Sequence, residues 1–290
     1  MIAMLHNAMR KHNIVLQKEH RLYILFRLAW NQCLAFKLKI HKLIHGISTP
    51  IVHYYAVCWN EERMLPFVFS HYGPIVGQYT FYDNNSTDSS NEIIGKHPNT
   101  HTIKFTTQGF DDTIHNTIKN NCWKRSRGKA DWVVVCDTDE FLYHTDLKQA
   151  LHDLTKQGIT LVRPVGYNMY SIHDPERGVP LTEQVRRGLR DLWFDKCILF
   201  NPHAVVEINY DPGAHVCHPT GRIVTYCRDD IKLLHYKNIG IDHLLARTRL
   251  YAQRLSKKNI ENNYGTFYLD DEEKIIQEFT DNEQRATEII

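Results

Sequence analysis

Beyond Pro50 the chain alternates between short apolar runs and segments of helical period. Residues 51–58 are rich in β-branched and aromatic side chains and predict a buried strand. Asn60 is placed to cap a helix starting at Glu61, with Glu61 and Glu62 at its positive end and Pro66 in an early turn. Residues 78–82 predict a second strand that closes in the polar turn Asp83-Asn84-Asn85-Ser86-Thr87-Asp88, and residues 102–105 a third. A helix follows, with Ile114, Ile118 and Cys122 on one face. Residues 132–136 are the most strand-like run and end abruptly in acids. Residues 147–156 predict a helix stopped at Gly158, and residues 159–163 another strand.

The second half is less regular. Residues 164–195 hold many charges and few apolar runs, and predict a long connection placed to cover a site. Residues 196–200 and 231–235 predict strands. Residues 241–258 predict one helix with Ile241, Leu244, Leu245 and Leu255 on its apolar face, and residues 270–278 an acidic surface helix. Strands alternating with helices imply an α/β fold, a mostly parallel central sheet flanked by helices. In such sheets ligands collect beyond the carboxyl ends of the strands.

Residues 1–49 stand apart: many Lys, Arg and His, and Glu19 as the one acid. Apolar residues are dense between Leu16 and Ile44, but Arg27, Asn31 and Gln32 interrupt them, and a span needs roughly 20 mostly apolar residues. Two readings fit residues 14–44: a basic amphipathic helix lying on an anionic membrane, or a helix packed on the protein's own core or a partner. The domain reading is therefore 1–49 as a basic N-terminal extension, 50–240 as the main domain and 241–290 as a helical C-terminal segment.

Composition excludes more than it selects. With 42% hydrophobic and 23% charged residues, the 290-residue chain is an ordinary globular protein, and a net charge of +2 gives no footprint for nucleic acid. Seven cysteines without a Cys-x-x-Cys pair, and no signal peptide, fit a reduced, cytoplasmic setting. His215, Cys217, His218 and Cys227 have zinc-ligating side chains but match no zinc-module spacing, so ordinary packing is the favoured reading.

The chemistry concentrates in Val133-Val134-Val135-Cys136-Asp137-Thr138-Asp139-Glu140-Phe141. In extended backbone, residues two apart point to one side, so Asp137 and Asp139 can converge on one cation. Carboxylates leaving a buried strand repel one another, and Mg²⁺ or Mn²⁺ removes that conflict. The bland alternative is a solvated turn.

Three ordered segments resemble glycosyltransferase family 2 and related enzymes of the GT-A fold: Val57-Cys58-Trp59-Asn60-Glu61-Glu62, Phe81 to Asp88, and Cys136 to Phe141. Leu233-Leu234-His235-Tyr236-Lys237 is similar to a segment of bacterial members with Asp-x-Asp-Glu-Phe. The resemblance implies a GT-A type sheet and a nucleotide-sugar donor. It places Val57, Trp59, Glu61 and Asp83 at the nucleotide, Asp137 at the ribose, and Asp137 and Asp139, with His235, at a Mn²⁺ or Mg²⁺ ion. The acceptor it implies is a glycan or lipid-linked glycan. The Asp83-Asn84-Asn85-Ser86 turn departs from the usual second acid and glycine, which loosens any inference of nucleotide preference.

Inverting transfer, the family's usual course, needs a carboxylate to take the acceptor's proton. Asp195, Asp191 and Glu183 are the candidates, with Asp195 ranked first; its alternative is a salt bridge to Lys196 or Arg190. Lys237, Arg186 and Arg187 are candidates to neutralise diphosphate. A nucleotidyltransferase would carry a glycine-rich loop near the first strand, and residues 57–66 have no glycine. A non-catalytic nucleotide-sugar-binding protein is the other alternative.

Overall fold

The computed structural model describes residues 2–290, with side chains from residue 20 onward. The earlier part of the basic stretch, Leu16 and Glu19 included, lies outside the described side chains. Helix α1 (Ile2–Ile44) is continuous. Its Asn31 and Leu38 are buried against the rest of the protein, Lys42 pairs with Asp131 at 2.7 Å, and the Tyr23 hydroxyl donates to Glu207 at 3.2 Å. Among the described residues no helix is long and apolar enough to cross a membrane.

Strand β1 (Val52–Cys58) is followed by α2 (Leu65–Tyr72), β2 (Val76–Asp83), α3 (Ser90–Lys96), β3 (Thr100–Lys104), α4 (Asp112–Asn121) and β4 (Trp132–Val135). Then come β5 (Glu140–Tyr143), α5 (Leu147–Lys156), β6 (Leu161–Val162), β7 (Val165–Ser171), α6 (Leu181–Gln184) and β8 (Arg187–Arg190). Short strands β9 (Leu199–Phe200), β10 (Val205–Glu207), β11 (Thr220–Gly221) and β12 (Thr225–Tyr226) precede β13 (Lys232–Ile239). The chain closes with α7 (Ile241–Arg254), α8 (Lys257–Glu261), α9 (Glu272–Arg285) and β14 (Thr287–Glu288).

The main sheet has the order β12-β6-β9-β4-β1-β2-β3. Its pairs are parallel except where β9 meets β4 and β6. Central placement follows from sequence: Tyr54, Tyr55 and the Val133–Val135 run are buried on both faces, as a strand covered by helices requires. A second sheet, β14-β8-β7-β13-β5, leans on the first. The fold is thus α/β, with a mostly parallel central sheet flanked by helices, as the alternation predicts.

Several local expectations are corrected. The first helix begins at Leu65, not Glu61. Asn60 has φ of +54° and ties its side chain to Thr87, while Glu61 and Glu62 donate their N–H groups to Ser90 and Asp88. Loop-to-loop bonding replaces the first helical turn. Residues 164–195 hold β7 and β8, paired with each other, rather than one long connection, because their outer partners β13 and β14 lie far away in sequence. The helix over 241–258 breaks at Leu255, where Phe110 bridges to the chain, and Ser256 caps α8. On α4 the expected apolar face is divided: Cys122, just past its end, is buried, Ile114 is exposed, and Lys119 is buried instead.

Candidate active site

A cleft of about 590 Å³ opens beyond the carboxyl ends of β1 and β4, walled by α4, β13, α7 and residues 263–268. Strand β1 delivers Val57, Trp59 and Glu61, and β4 delivers Asp137, Thr138 and Asp139. On α4, Asp112, His115, Asn116 and Lys119 stand at i, i+3, i+4 and i+7, so a single helical face enters the cleft.

His235 arrives by register. It pairs with Glu140 across the antiparallel β5–β13 ladder, and the next N–H, from Tyr236, donates to the Asp139 carbonyl at 2.8 Å. This places His235 Nε2 3.6 Å from Asp139 Oδ2. The other ring nitrogen, Nδ1, lies 2.7 Å from Asn168 Oδ1, and Asn168 Nδ2 donates to Asp191 at 2.7 Å. A carboxylate only accepts, so Asp191 fixes which way the Asn168 amide faces, and the Asn168 carbonyl requires a proton on Nδ1. In the neutral ring, Nε2 then turns its lone pair toward Asp139. Two acceptors facing each other repel unless a proton or a metal cation lies between them, so the pair can hold either.

Asp137 is engaged differently. Lys119 stands 2.7 Å from its Oδ1, and Lys196 is 4.0 Å from Oδ2 while pairing with the buried Glu140 at 2.5 Å. Glu140 also accepts from the Asp137 N–H at 3.1 Å. Burial works against the charge on Asp137, but Lys119 and Lys196 outweigh it and hold the carboxyl below its usual range. Burial likewise opposes Lys119, and Asp137 and Glu140 outweigh it, raising that ammonium's pKa. For Asp139, burial is overcome chiefly by His235 in its protonated form, and its pKa is also depressed.

The far wall is cationic and aromatic. Arg247 holds Glu61 with two bonds of 2.7 and 3.2 Å. Arg254 lies 3.5 Å over the Trp59 ring, which meets Tyr251 edge-on. Lys237 sits 3.9 Å above Phe267, and burial pulls its pKa down to about 8. On the opposite side Phe194 stacks on His235 at 4.0 Å, and Trp193 stacks on His215 at 4.7 Å with its own ring 59% exposed. Gly166 lets this turn approach β7, since a Cβ there would come within 2.3 Å of the Phe194 backbone.

The sequence-derived residues divide between the cleft and the scaffold. Val57, Trp59, Glu61, Asp137, Asp139, His235 and Lys237 line the cleft. Asp83 does not: its buried carboxylate accepts from the Ser86 N–H and from Asn91, shaping the turn. Asp195 is also outside, receiving the Gly166 N–H at 2.8 Å and pairing with Arg190 at 2.8 Å. Asp191 holds Asn168 and the Trp193 N–H, and Glu183 is exposed on α6. Arg186 and Arg187 pair with Glu288 and Glu283, away from the cleft. Among the zinc-type residues, His218 bonds Asp211 and Cys227 is exposed. Among the described residues no group of three or more His, Cys, Asp or Glu is close enough to hold a metal. Sequence reasoning missed Lys119, Asn168, Trp193, Arg247 and Arg254, none of which lies in a recognisable motif.

No family model and no curated protein matches the sequence. Among solved structures the chain is similar to residues 1–349 of S. aureus TarS, with TM-score 0.42 and 12% identity over 70% of this chain and 64% of that one. The same protein in complex with UDP-GlcNAc gives 0.42 and 13%, over 70% and 66%. Longer S. aureus TarS gives 0.43 and 12%, over 80% of this chain and 43% of that one. The chain thus spans under two thirds of the length of TarS 1–349 and under half of the longer protein. Likeness of this size carries nothing about substrate or chemistry.

Proposed function

We propose that the chain transfers a sugar from a nucleotide-diphosphate sugar to a glycan or lipid-linked acceptor, with Mn²⁺ or Mg²⁺ at the Asp139–His235 pair. One observation carries the reading. A single cleft at the strand ends gathers that carboxylate–imidazole pair, the cations Lys119, Lys196, Lys237, Arg247 and Arg254, and exposed aromatic surface. The three motif segments that resemble glycosyltransferase family 2 support it independently.

Asp139 and His235 fit a divalent ion as two oxygen and nitrogen ligands; such ions commonly take their remaining positions from phosphate oxygens and water. When bound, the ion would supply Lewis-acid stabilisation of the departing diphosphate. Asp137, already neutralised by Lys119, is suited to the ribose side rather than to the ion. Lys237 and Arg254 add positive charge where diphosphate charge grows during transfer. Trp59, clamped by Arg254 and Tyr251, forms the nucleotide wall, and the Trp193–His215 stack forms the acceptor wall. Inversion is the stereochemical course implied by the family resemblance.

Thermal melts with uridine, guanosine and cytidine diphosphate sugars, with and without Mn²⁺, test the reading. A ligand at a hundred times its Kd adds about 2.7 kcal/mol. The expected result is stabilisation that needs the metal and disappears in Asp139→Ala, whose own fold is retained. Product formation from the responding donor separates an enzyme from a binding protein, and the anomeric configuration of the product tests inversion. Absence of any metal-coupled donor effect would overturn the proposal.

A further inference from the structure

Helix α1 turns one side inward and leaves an apolar stripe on the other. Asn31, Leu34 and Leu38, spaced by three and four residues, turn toward the body of the protein, where Leu34 packs beside Gly128. The opposite side carries Leu22, Leu25, Phe26, Phe36, Ile40 and Leu43 at the same helical spacing. Leu25, Phe36 and Leu43 are 62%, 64% and 82% exposed. From Leu22 to Ile44 this stripe runs about 33 Å at helical rise, longer than the scattered exposed apolar residues normal on a globular surface.

The borders of the stripe are cationic. At 100° per residue, Arg21 and Lys39 fall along one edge and Lys37 along the other. Residues 20–49 contain no Asp or Glu. A second copy of the helix laid on this stripe would therefore meet a like-charged border with no acid of its own to answer it. An anionic lipid surface offers both what the stripe needs, an acyl boundary for the apolar residues, and what its borders need, negative headgroups.

We infer that the outer face of α1 docks the protein on an anionic membrane surface, lying in the headgroup plane without crossing. Such docking would hold the cleft near an acceptor carried by lipid, yet the inference does not depend on the proposed transfer reaction. The face turned to the lipid is defined by Leu25 and Phe36, and the electrostatic attraction by Arg21, Lys37 and Lys39.

Co-sedimentation of the full chain with vesicles tests it, comparing pure phosphatidylcholine with equal parts phosphatidylcholine and phosphatidylglycerol. Binding is expected to the mixed vesicles only and to weaken with added salt. Combined Leu25→Glu and Phe36→Glu should abolish it with the melting temperature and elution volume unchanged, since both side chains are largely exposed. Combined Lys37→Gln and Lys39→Gln should weaken partition about thirtyfold; this pair and the salt series decide the matter should the glutamate variant not fold. Failure to bind mixed vesicles, or equal binding to both kinds, would overturn the inference. So would a wild-type dimer that the glutamate variant converts to a monomer while vesicle binding persists.

Discussion

The ammonium of Lys119 straddles the Asp137 carboxylate, 2.7 Å from one oxygen and 2.8 Å from the other. The first acid of the Asp-x-Asp pair is therefore compensated by a lysine, while the second, Asp139, faces the His235 imidazole at 3.6 Å. Removing the compensation should expose the difference. Lys119→Met is expected to lower stability by about 1–2 kcal/mol; a broken buried pair costs more, but Asp137 is 38% exposed and water screens part of the loss. With the ion at Asp139 and His235, Mn²⁺ should stabilise the variant and the wild type alike. Urea unfolding with and without Mn²⁺ measures both quantities, and a variant that gains more from the metal than the wild type would place Asp137 within reach of the ion.

The Asp191–Asn168–His235 chain predicts a remote effect on metal affinity. Asp191→Asn keeps an acceptor for the Trp193 N–H but no longer dictates the orientation of Asn168. Mn²⁺ affinity, read by electron paramagnetic resonance, is expected to fall about tenfold or more, in line with other partners of metal-bound histidines. Unaltered affinity would reduce Asp191 to a turn-capping residue.

Trp193 belongs to the proposed acceptor wall of the cleft. Because its ring is largely exposed and rests on His215, Trp193→Ala should alter stability by no more than about 0.5 kcal/mol. The acceptor KM should rise about tenfold through loss of the aromatic face, with donor Kd unchanged. A change in donor Kd of equal size would contradict the assignment of walls.

Acid stability tests a buried histidine away from the cleft. His203 Nε2 accepts the Gly128 N–H at 2.8 Å, and burial lowers its pKa from 6.5 to about 4. The unfolded chain takes up a proton that the folded chain refuses, so this stability is complete above pH 6.5. It is lost as pH falls from 6.5 to about 4, and costs about 3 kcal/mol over that window. Urea midpoints at pH 7 and pH 4.5 should differ less in His203→Gln than in the wild type.

Much of the fold was legible in sequence because its parallel half is built from local signals. Residues 147–156 form α5 with the predicted bounds, and the Val133–Val135 run lies in the central strand β4 as its composition demands. The residues after Asn60 misled because their N–H groups bond to the loop after β2, a partner 26 to 29 residues away. Strands β7 and β8 were hidden for a related reason. Their mixed polar pattern makes sense only once β13 and β14 supply edges and the cleft takes one side chain such as Asn168.

By itself the sequence determined the central strands, the acids at the end of β4 and the basic character of α1, since each depends on neighbouring residues and periodicity. Tertiary structure alone decided which charges meet. It assigned Lys119 to Asp137, His235 to Asp139 and Arg247 to Glu61, and it withdrew Asp83, Asp195 and Glu183 from the cleft. The reason is physical: a charge's role is set by what lies within a few ångströms, and those neighbours come from strands and helices as far as 186 residues away along the chain.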